Sequence, residues 1–269
     1  MKIYGIDFSG AAAAGKHIWI AAGRMEQGKL CIKSCRPAAA FLNAQPRREV
    51  ILADLARFVG SQENAVFAFD FPFGLPVTLL TALGYRDWQE MVLAFPRRFP
   101  EAHSFRQTCK QFSAVELKRT TDRETKTPFS PYNLRMFRQT YYGISTILHQ
   151  VVAHDQAAVL PMQPYVPGKA AIIEICPAAT LQKEMINKAY RGYKSVSPHG
   201  FTQRAAILAH FEKLGVVPAG QQLRKKILAD PRGDALDSLI AGFAAYRAYA
   251  SGFAAASQQP YALEGFVYT

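Results

Sequence analysis

Five carboxylates stand where an α/β chain gathers its chemistry: Asp7, Asp70, Glu174, Asp234 and Asp237. Asp7 lies inside the apolar opening run of M-K-I-Y-G-I-D-F-S-G, Asp70 closes A-V-F-A-F-D just ahead of Pro72, and Glu174 nears the end of K-A-A-I-I-E-I-C ahead of Pro177. Asp234 and Asp237 are i and i+3 in G-D-A-L-D-S-L, so they project from one face of a helix. A carboxylate at the end of a buried strand costs on the order of several kcal/mol unless something compensates its charge. Several carboxylates aimed at one place repel each other, and divalent cations relieve that repulsion. An all-oxygen donor set of this size favours Mg²⁺ or Mn²⁺ over zinc. Two such ions about 4 Å apart can clamp a phosphodiester and activate a water for in-line attack.

Each acid also has a purely structural alternative. Asp7 could pair with a nearby Lys or Arg, and Asp70 could form an Asx-turn before Pro72. Glu174 could serve in a salt bridge. Asp234 and Asp237 suit the first turns of a helix through its dipole alone.

The elements that would position these acids are legible in the pattern. Residues 1–8, 17–22 and 29–34 read as three strands joined by short turns, an antiparallel meander in which Gly23 and Gly28 frame the second turn. Residues 47–60 have helical spacing and stop at Gly60, and 65–71 form a fourth strand. A helix between the meander and that strand supplies the crossover that parallel pairing needs. Residues from about 71 to 168 predict a helical insertion, with helices near 86–95, 104–119 and 131–154. A fifth strand at 169–176 follows, then helices near 178–190 and 201–213. A last helix begins with Asp230 as N-cap and Pro231 at the first helical position. The fold class is therefore α/β: a mixed five-stranded sheet, three antiparallel strands continuing into two parallel ones, flanked by helices. The chain reads as a single domain over 1–269. If the first and fourth strands are neighbours, their acids converge at the carboxyl edge of the parallel strands, where such sheets bind ligands.

Apolar residues make up 49% and charged residues 19%, which excludes global disorder. No apolar run reaches the length of a membrane span, and Asp7 breaks the only candidate signal segment, so no membrane partner is expected. The four scattered cysteines, Cys31, Cys35, Cys109 and Cys176, predict free thiols in a reducing cytoplasm. The net charge of +12 favours a polyanionic partner. Within the insertion, Arg119, Arg123, Arg135 and Arg138 accompany Tyr132, Tyr141 and Tyr142. Such a cluster is a solvated, packed helical layer or a guide for the backbone of DNA or RNA. His103, His149, His154 and His199 show no metal-ligand spacing.

Four ordered motifs carry a resemblance: G-I-D-F-S-G at 5–10, F-D-F-P-F-G-L-P at 69–76, E-I-C-P at 174–177 and G-D-A-L-D-S-L at 233–239. R-T-T-D-R-E-T-K-T-P-F-S-P-Y-N at 119–133 adds a fifth. Over most of the chain, from residue 3 to about 247, it resembles the DUF429 family, a predicted-nuclease group within the ribonuclease H-like superfamily. The resemblance implies a ribonuclease H-like fold and Mg²⁺- or Mn²⁺-dependent hydrolysis of nucleic-acid phosphodiesters. In that superfamily the Holliday-junction resolvases place an acid on the first strand, an acid ending the fourth, and D-x-x-D on the last helix. Asp7, Asp70, Asp234 and Asp237 fill that layout as metal ligands, with Asp70 where the resolvases usually carry Glu. Glu174 joins the expected catalytic set without a counterpart in the pattern. Ser9, Arg119, Arg123, Arg135 and Arg138 are the expected substrate contacts. Two other functions fit the same residues: an ATP-dependent phosphotransferase of the actin-like and sugar-kinase group, and a non-catalytic nucleic-acid-binding protein. The first lacks the second Gly-rich phosphate loop and the adenosine-binding glycine pair.

Overall fold

A mixed sheet carries the molecule, built from β1 (Lys2–Asp7), β2 (Trp19–Glu26), β3 (Lys29–Pro37), β4 (Ala65–Phe69), β5 (Ala157–Leu160), β6 (Ala170–Ile175), β7 (Val216–Pro218) and β8 (Val267–Tyr268). The computed structural model describes residues 1–113, 115–185, 191–254 and 260–269. Its strand order is β5-β6-β4-β1-β2-β3-β7, with β8 beside β6. The helices are α1 (Ala14–His17), α2 (Ala38–Leu42), α3 (Arg48–Gly60), α4 (Val77–Ala82), α5 (Trp88–Arg98), α6 (Ala102–Gln111) and α7 (Thr120–Glu124). After them come α8 (Phe137–Tyr142), α9 (His149–Ala153), α10 (Pro177–Glu184), α11 (Pro198–Lys213), α12 (Gly220–Ala229), α13 (Asp234–Ala250) and α14 (Tyr261–Glu264). A π-helical stretch, Gly143–Leu148, joins α8 to α9.

The meander of β1, β2 and β3 is antiparallel, and β4 lies parallel to β1 with β6 parallel to β4, as the sequence pattern predicts. The strand count is larger than predicted. β5, β7 and β8 are four, three and two residues long, too short to impose a period of their own. Two boundaries also move. Gly23 lies inside β2, where the register shifts at Ala22/Gly23, and the turn falls instead at Gln27 and Gly28, both with positive φ. Gly60 stays inside α3, and Ser61 caps it. The last helix does not begin at Asp230, which ends α12. The chain turns through Pro231 to Gly233, whose φ of 77° only glycine adopts at low cost, and α13 starts at Asp234. Asp230 still serves that start, because its Oδ2 accepts the Ala235 N–H at 2.9 Å.

Between β4 and β5, helices replace the predicted 86–95, 104–119 and 131–154 with α5, α6 and the α8–α9 run, and α7 adds a short turn. The predicted helix at 178–190 is α10 as far as Glu184; positions 186–190 lie outside the described residues.

Strand alternation divides the core in two. Tyr4, Ile6 and Phe8 join Phe67, Phe69 and Ile172 on one face, packed with α3, α5, α6, α8 and α9. Ile3, Val66, Ala68, Ile173 and Ile175 occupy the other face, with α11, α12 and α13. Leu236, Leu239, Ile240 and Phe243 bury the inner face of α13, each worth about 1.5–3 kcal/mol. The helix comes down onto β1 because Gly5 has no side chain: a Cβ there would stand 2.1 Å from both the Gly242 nitrogen and the Ser238 carbonyl oxygen. All four cysteines are free thiols. Among the described residues no helix is long and apolar enough to cross a membrane.

Candidate active site

The same alternation aims the acids. In β1, Asp7 is in phase with Ile3 and Gly5, so it faces α13. Asp70 follows β4 in phase with Val66 and Ala68 and faces the same way, and its N–H donates to the Ile6 carbonyl at 3.1 Å. Two neighbouring parallel strands thus end with their carboxylates on one face. Asp237, one turn into α13, descends onto that face and is 1% exposed. Asp7, Asp70 and Asp237 line a single cleft of about 410 Å³ at the carboxyl edge of the sheet.

Their mutual electrostatics follow from this convergence. Burial pushes the Asp7 carboxyl well above the usual carboxylate range, and the charges of Asp237 and Asp70 push it further. Burial, reinforced by Asp237, holds Asp70 up to about 8. Among the described residues one cation, Lys194, faces the three acids directly. Lys194 Nζ lies 2.6 Å from Asp237 Oδ2, with its side chain 53% exposed. Burial disfavours its charge, but Asp237, Asp7 and Asp70 outweigh that and keep it protonated. Tyr193 donates its hydroxyl to Asp237 Oδ1 at 2.7 Å, and burial and Asp237 hold that phenol well above its normal range. Both oxygens of Asp237 are therefore engaged by protein donors.

Asp234 stands to one side. It lines a second concavity of about 340 Å³ with Asp7, Ser9, His17, Gln139, Lys194 and Arg232. Its Oδ2 lies 2.5 Å from an Arg232 nitrogen, so its nearest partner is that guanidinium. Burial raises it, with Arg232 opposing. Ser9 lines the same concavity, and its hydroxyl accepts the Ala11 N–H at 3.3 Å.

Glu174 belongs to a different cluster. In β6 it is in phase with Ile172 and registers against Phe69, so it leaves the sheet on the opposite face from Asp7 and Asp70. Arg119 meets it there. Arg119 donates Nη1 to Glu174 Oε2 at 2.7 Å and Nη2 to Glu174 Oε1 at 2.5 Å. It also donates Nε and Nη2 to Asp122 at 3.0 and 2.8 Å and Nη1 to the Glu264 carbonyl at 3.0 Å. Those contacts engage all five guanidinium N–H donors. The Phe73 N–H donates to Glu174 Oε2 at 2.8 Å. The expectation that Arg119 meets substrate is thereby corrected: a guanidinium 1% exposed with every donor engaged has nothing left for a phosphate. Glu174 takes the salt-bridge alternative.

Among the remaining arginines, Arg123 donates to the Lys118 carbonyl at 2.6 Å and to Thr120 Oγ1. Arg135 and Arg138 are exposed, Arg135 over the Phe129 ring and Arg138 beside His103. The tyrosines are packing groups. Tyr132 and Tyr141 are buried, with hydroxyls bonded to the Leu117 N–H and the Phe99 carbonyl, and Arg48 covers Tyr142 at 3.9 Å from its centroid. Tyr193, Lys194, Gln139 and Arg232 are site residues that the sequence reading passed over. Tyr193, Lys194 and Arg232 lie on loops that carry no period, and Gln139 lies in α8 with no charge to mark it. The available signal was electrostatic: acids this crowded require a cation, and Lys194 sits in a Gly- and Ser-rich connection between helices.

Among the described residues no group of three or more His, Cys, Asp or Glu side chains is placed so as to hold a metal ion as it stands. The donor chemistry does fit one. Asp7, Asp70 and Asp237 are hard oxygen donors, and a divalent cation would offset the burial and mutual repulsion that raise Asp7 and Asp70. In the structure Lys194 Nζ occupies Asp237 Oδ2.

A family model described as a protein of unknown function (DUF429) matches residues 5–260. No curated protein and no solved structure matches the chain.

Proposed function

Since this chain belongs to the DUF429 family, whose description assigns no activity, we propose from its site that it is a Mg²⁺- or Mn²⁺-dependent nuclease hydrolysing phosphodiester bonds. The observation that carries this reading is the convergence of Asp7, Asp70 and Asp237 from three separate elements on one cleft. The strand order and the positions of these acids are compatible with a ribonuclease H-like arrangement, and the net charge of +12 suits a nucleic-acid substrate, DNA or RNA.

Asp7, Asp70 and Asp237 would hold the cations, while Asp234 keeps its pair with Arg232 beside them. Divalent cations held there would supply Lewis-acid polarisation of the scissile phosphate, the two-metal chemistry of phosphoryl-ester hydrolysis. The chain's own residues do the rest. Asp70 gives up the proton it retains near neutrality before it can act as a ligand. Tyr193 fixes the rotamer of Asp237 through its hydroxyl. Lys194, freed from Asp237, carries its ammonium to a non-bridging phosphate oxygen. Gln139 Nε2 donates to the Phe8 carbonyl at 2.5 Å and keeps the end of β1 in place beside the cleft.

The test is cleavage of labelled DNA and RNA with Mn²⁺ or Mg²⁺, comparing wild type with Asp7→Asn. Loss of a charged ligand should lower kcat/KM by about 10²–10³-fold, the scale for removing one transition-state electrostatic partner. Equal activity in the two proteins would sink the reading.

A further inference from the structure

Resting on that phosphodiester reading, we propose that the apolar end of the cleft is a nucleobase subsite, so that the enzyme acts on unpaired strands. Hydrolysis of a phosphodiester requires the acids and no apolar wall. Yet away from Asp7, Asp70 and Asp237 the cleft is lined by Pro72, Pro128, Phe129, Met136, Ile175 and Pro177, beside the mutually paired Arg119, Asp122 and Glu174. A flat, apolar ligand next to a phosphate is the chemistry such a wall recognises, and a nucleobase supplies it.

Phe129 is the surface on which a base would stack. Its half-buried ring lines the cleft, and Arg135 holds its guanidinium 5.4 Å from the ring centroid. Base–aromatic stacking backed by an arginine is the recurrent device of single-strand binding. The loop that carries Phe129 is fixed in advance. Lys118 Nζ donates to the Thr127 carbonyl at 2.6 Å, and the Thr127 N–H and hydroxyl both reach Asp122 at 3.0 and 3.2 Å. Asp122 is itself clamped by Arg119. The buried ion cluster behind the cleft therefore holds the platform rigid, which lowers the ordering cost of binding.

The backbone has a path. The second concavity shares Asp7, Gln139 and Lys194 with the cleft and adds Ser9, His17 and Arg232. A strand with its base against Phe129 and its next phosphate beside Arg232 crosses the acids between the two. Size sets the limit. About 410 Å³ suits a single small-molecule-sized group, whereas a paired base remains stacked between its neighbours until it is extruded at a cost of a few kcal/mol.

The experiment uses one labelled 12-mer in DNA and in RNA, as a free strand, as a blunt duplex, and with an abasic residue placed at each position in turn. With Mn²⁺, the free strand is expected to be cleaved at least ten times faster than the duplex. Phe129→Ala should lower kcat/KM on the free strand by about 5- to 150-fold, the worth of one base–aromatic stack. Phe129→Trp should retain most of the rate. One abasic position should reproduce the loss in wild type and cost nothing further in Phe129→Ala. A duplex cleaved as fast as the strand, or a Phe129→Ala loss that is the same with and without the base, overturns the subsite and leaves the nuclease reading standing. If wild type cleaves none of these probes, that reading falls, and fluorescence anisotropy with the same strands decides the subsite. Base-dependent binding that Phe129→Ala weakens upholds it, and binding indifferent to both overturns it.

Discussion

Two acidic clusters leave opposite faces of the sheet and meet the same cleft, and although burial raises the acids of both, they differ in how their charge is paired. Around Glu174 the charge is nearly closed. Arg119 serves Glu174 and Asp122 at once, the Phe73 N–H adds a donor, and the group is sealed from solvent. Burial disfavours the Arg119 charge, yet the two carboxylates outweigh it and hold the guanidinium firmly protonated. Around Asp7 the charge is open: among the described residues three acids meet one half-exposed lysine, and Asp7 and Asp70 are driven towards their protonated forms. A cluster whose donors and acceptors are matched holds a fold together, whereas a cluster with surplus acceptors is prepared for a cation that arrives from solution. The contrast predicts opposite signs when each is mutated.

The largest effect is expected at Arg119. Arg119→Met leaves Glu174 and Asp122 buried without their partner, which costs about 3–5 kcal/mol. In thermal unfolding that corresponds to a Tm drop of roughly 6–20 °C for a chain of this size. Replacing Glu174 and Asp122 by Gln and Asn in the same protein should recover much of the loss, because the cost lies in the orphaned charges. Asp7→Asn should instead leave Tm unchanged or raise it while abolishing activity. If both substitutions destabilise alike, the two clusters are not different in kind.

A smaller effect separates them by pH. In chelator, folded Asp70 keeps its proton up to about pH 8, whereas the unfolded chain releases it near pH 4. Between those values the folded state binds the extra proton, so Asp70's contribution to stability is complete below about pH 4 and is lost as pH rises through 8. Wild-type Tm should therefore fall from pH 5 to pH 8.5, by several degrees more than that of Asp70→Asn. Saturating Mn²⁺ should reverse the difference at pH 8.5, since only the wild type gains the full ligand set. Parallel Tm curves for the two proteins would mean that neither burial nor its neighbours raise the Asp70 carboxyl.

How much of this could be read from the chain depends on where each signal resides. The meander, the α3 crossover and the parallel pairing of β1 with β4 are written in residue pattern, and so are Asp7, Asp70 and Asp237 at the ends of their elements. The misassignment of Glu174 has a specific cause. β6 is apolar on both faces, as a central parallel strand must be, so K-A-A-I-I-E-I-C shows no alternation to say which way its one acid faces. Only the register of Phe69 against Glu174 decides that. Arg119 is hard to read for a related reason: a surface arginine and a buried one look alike in sequence, and beyond Asp122 its partners lie 55 and 145 residues away. Lys194 sits in an aperiodic loop and becomes visible only as the counter-charge to acids that distant segments bring together.

Asp234 is the residue on which the comparison is finest, because it touches both descriptions. By sequence it is the twin of Asp237 on one helix face, yet it is paired with Arg232 and opens on the second concavity rather than the cleft. A pair of this kind, with Arg232 half exposed, contributes about 0.2–1 kcal/mol. If Asp234 acts only through Arg232, Asp234→Asn should lower kcat/KM less than about tenfold, within what that pair is worth, and Arg232→Ala should do the same without adding to it. Asp237→Asn should cost at least 10²-fold, since it removes a carboxylate that meets Asp7 and Asp70 directly. Mn²⁺ titration of the same variants supplies the second reading: affinity should hold in Asp234→Asn and collapse in Asp237→Asn. Equal losses at the two positions would make the pair one ligand unit and bring Asp234 into the open cluster, with Arg232 as the group it must first give up.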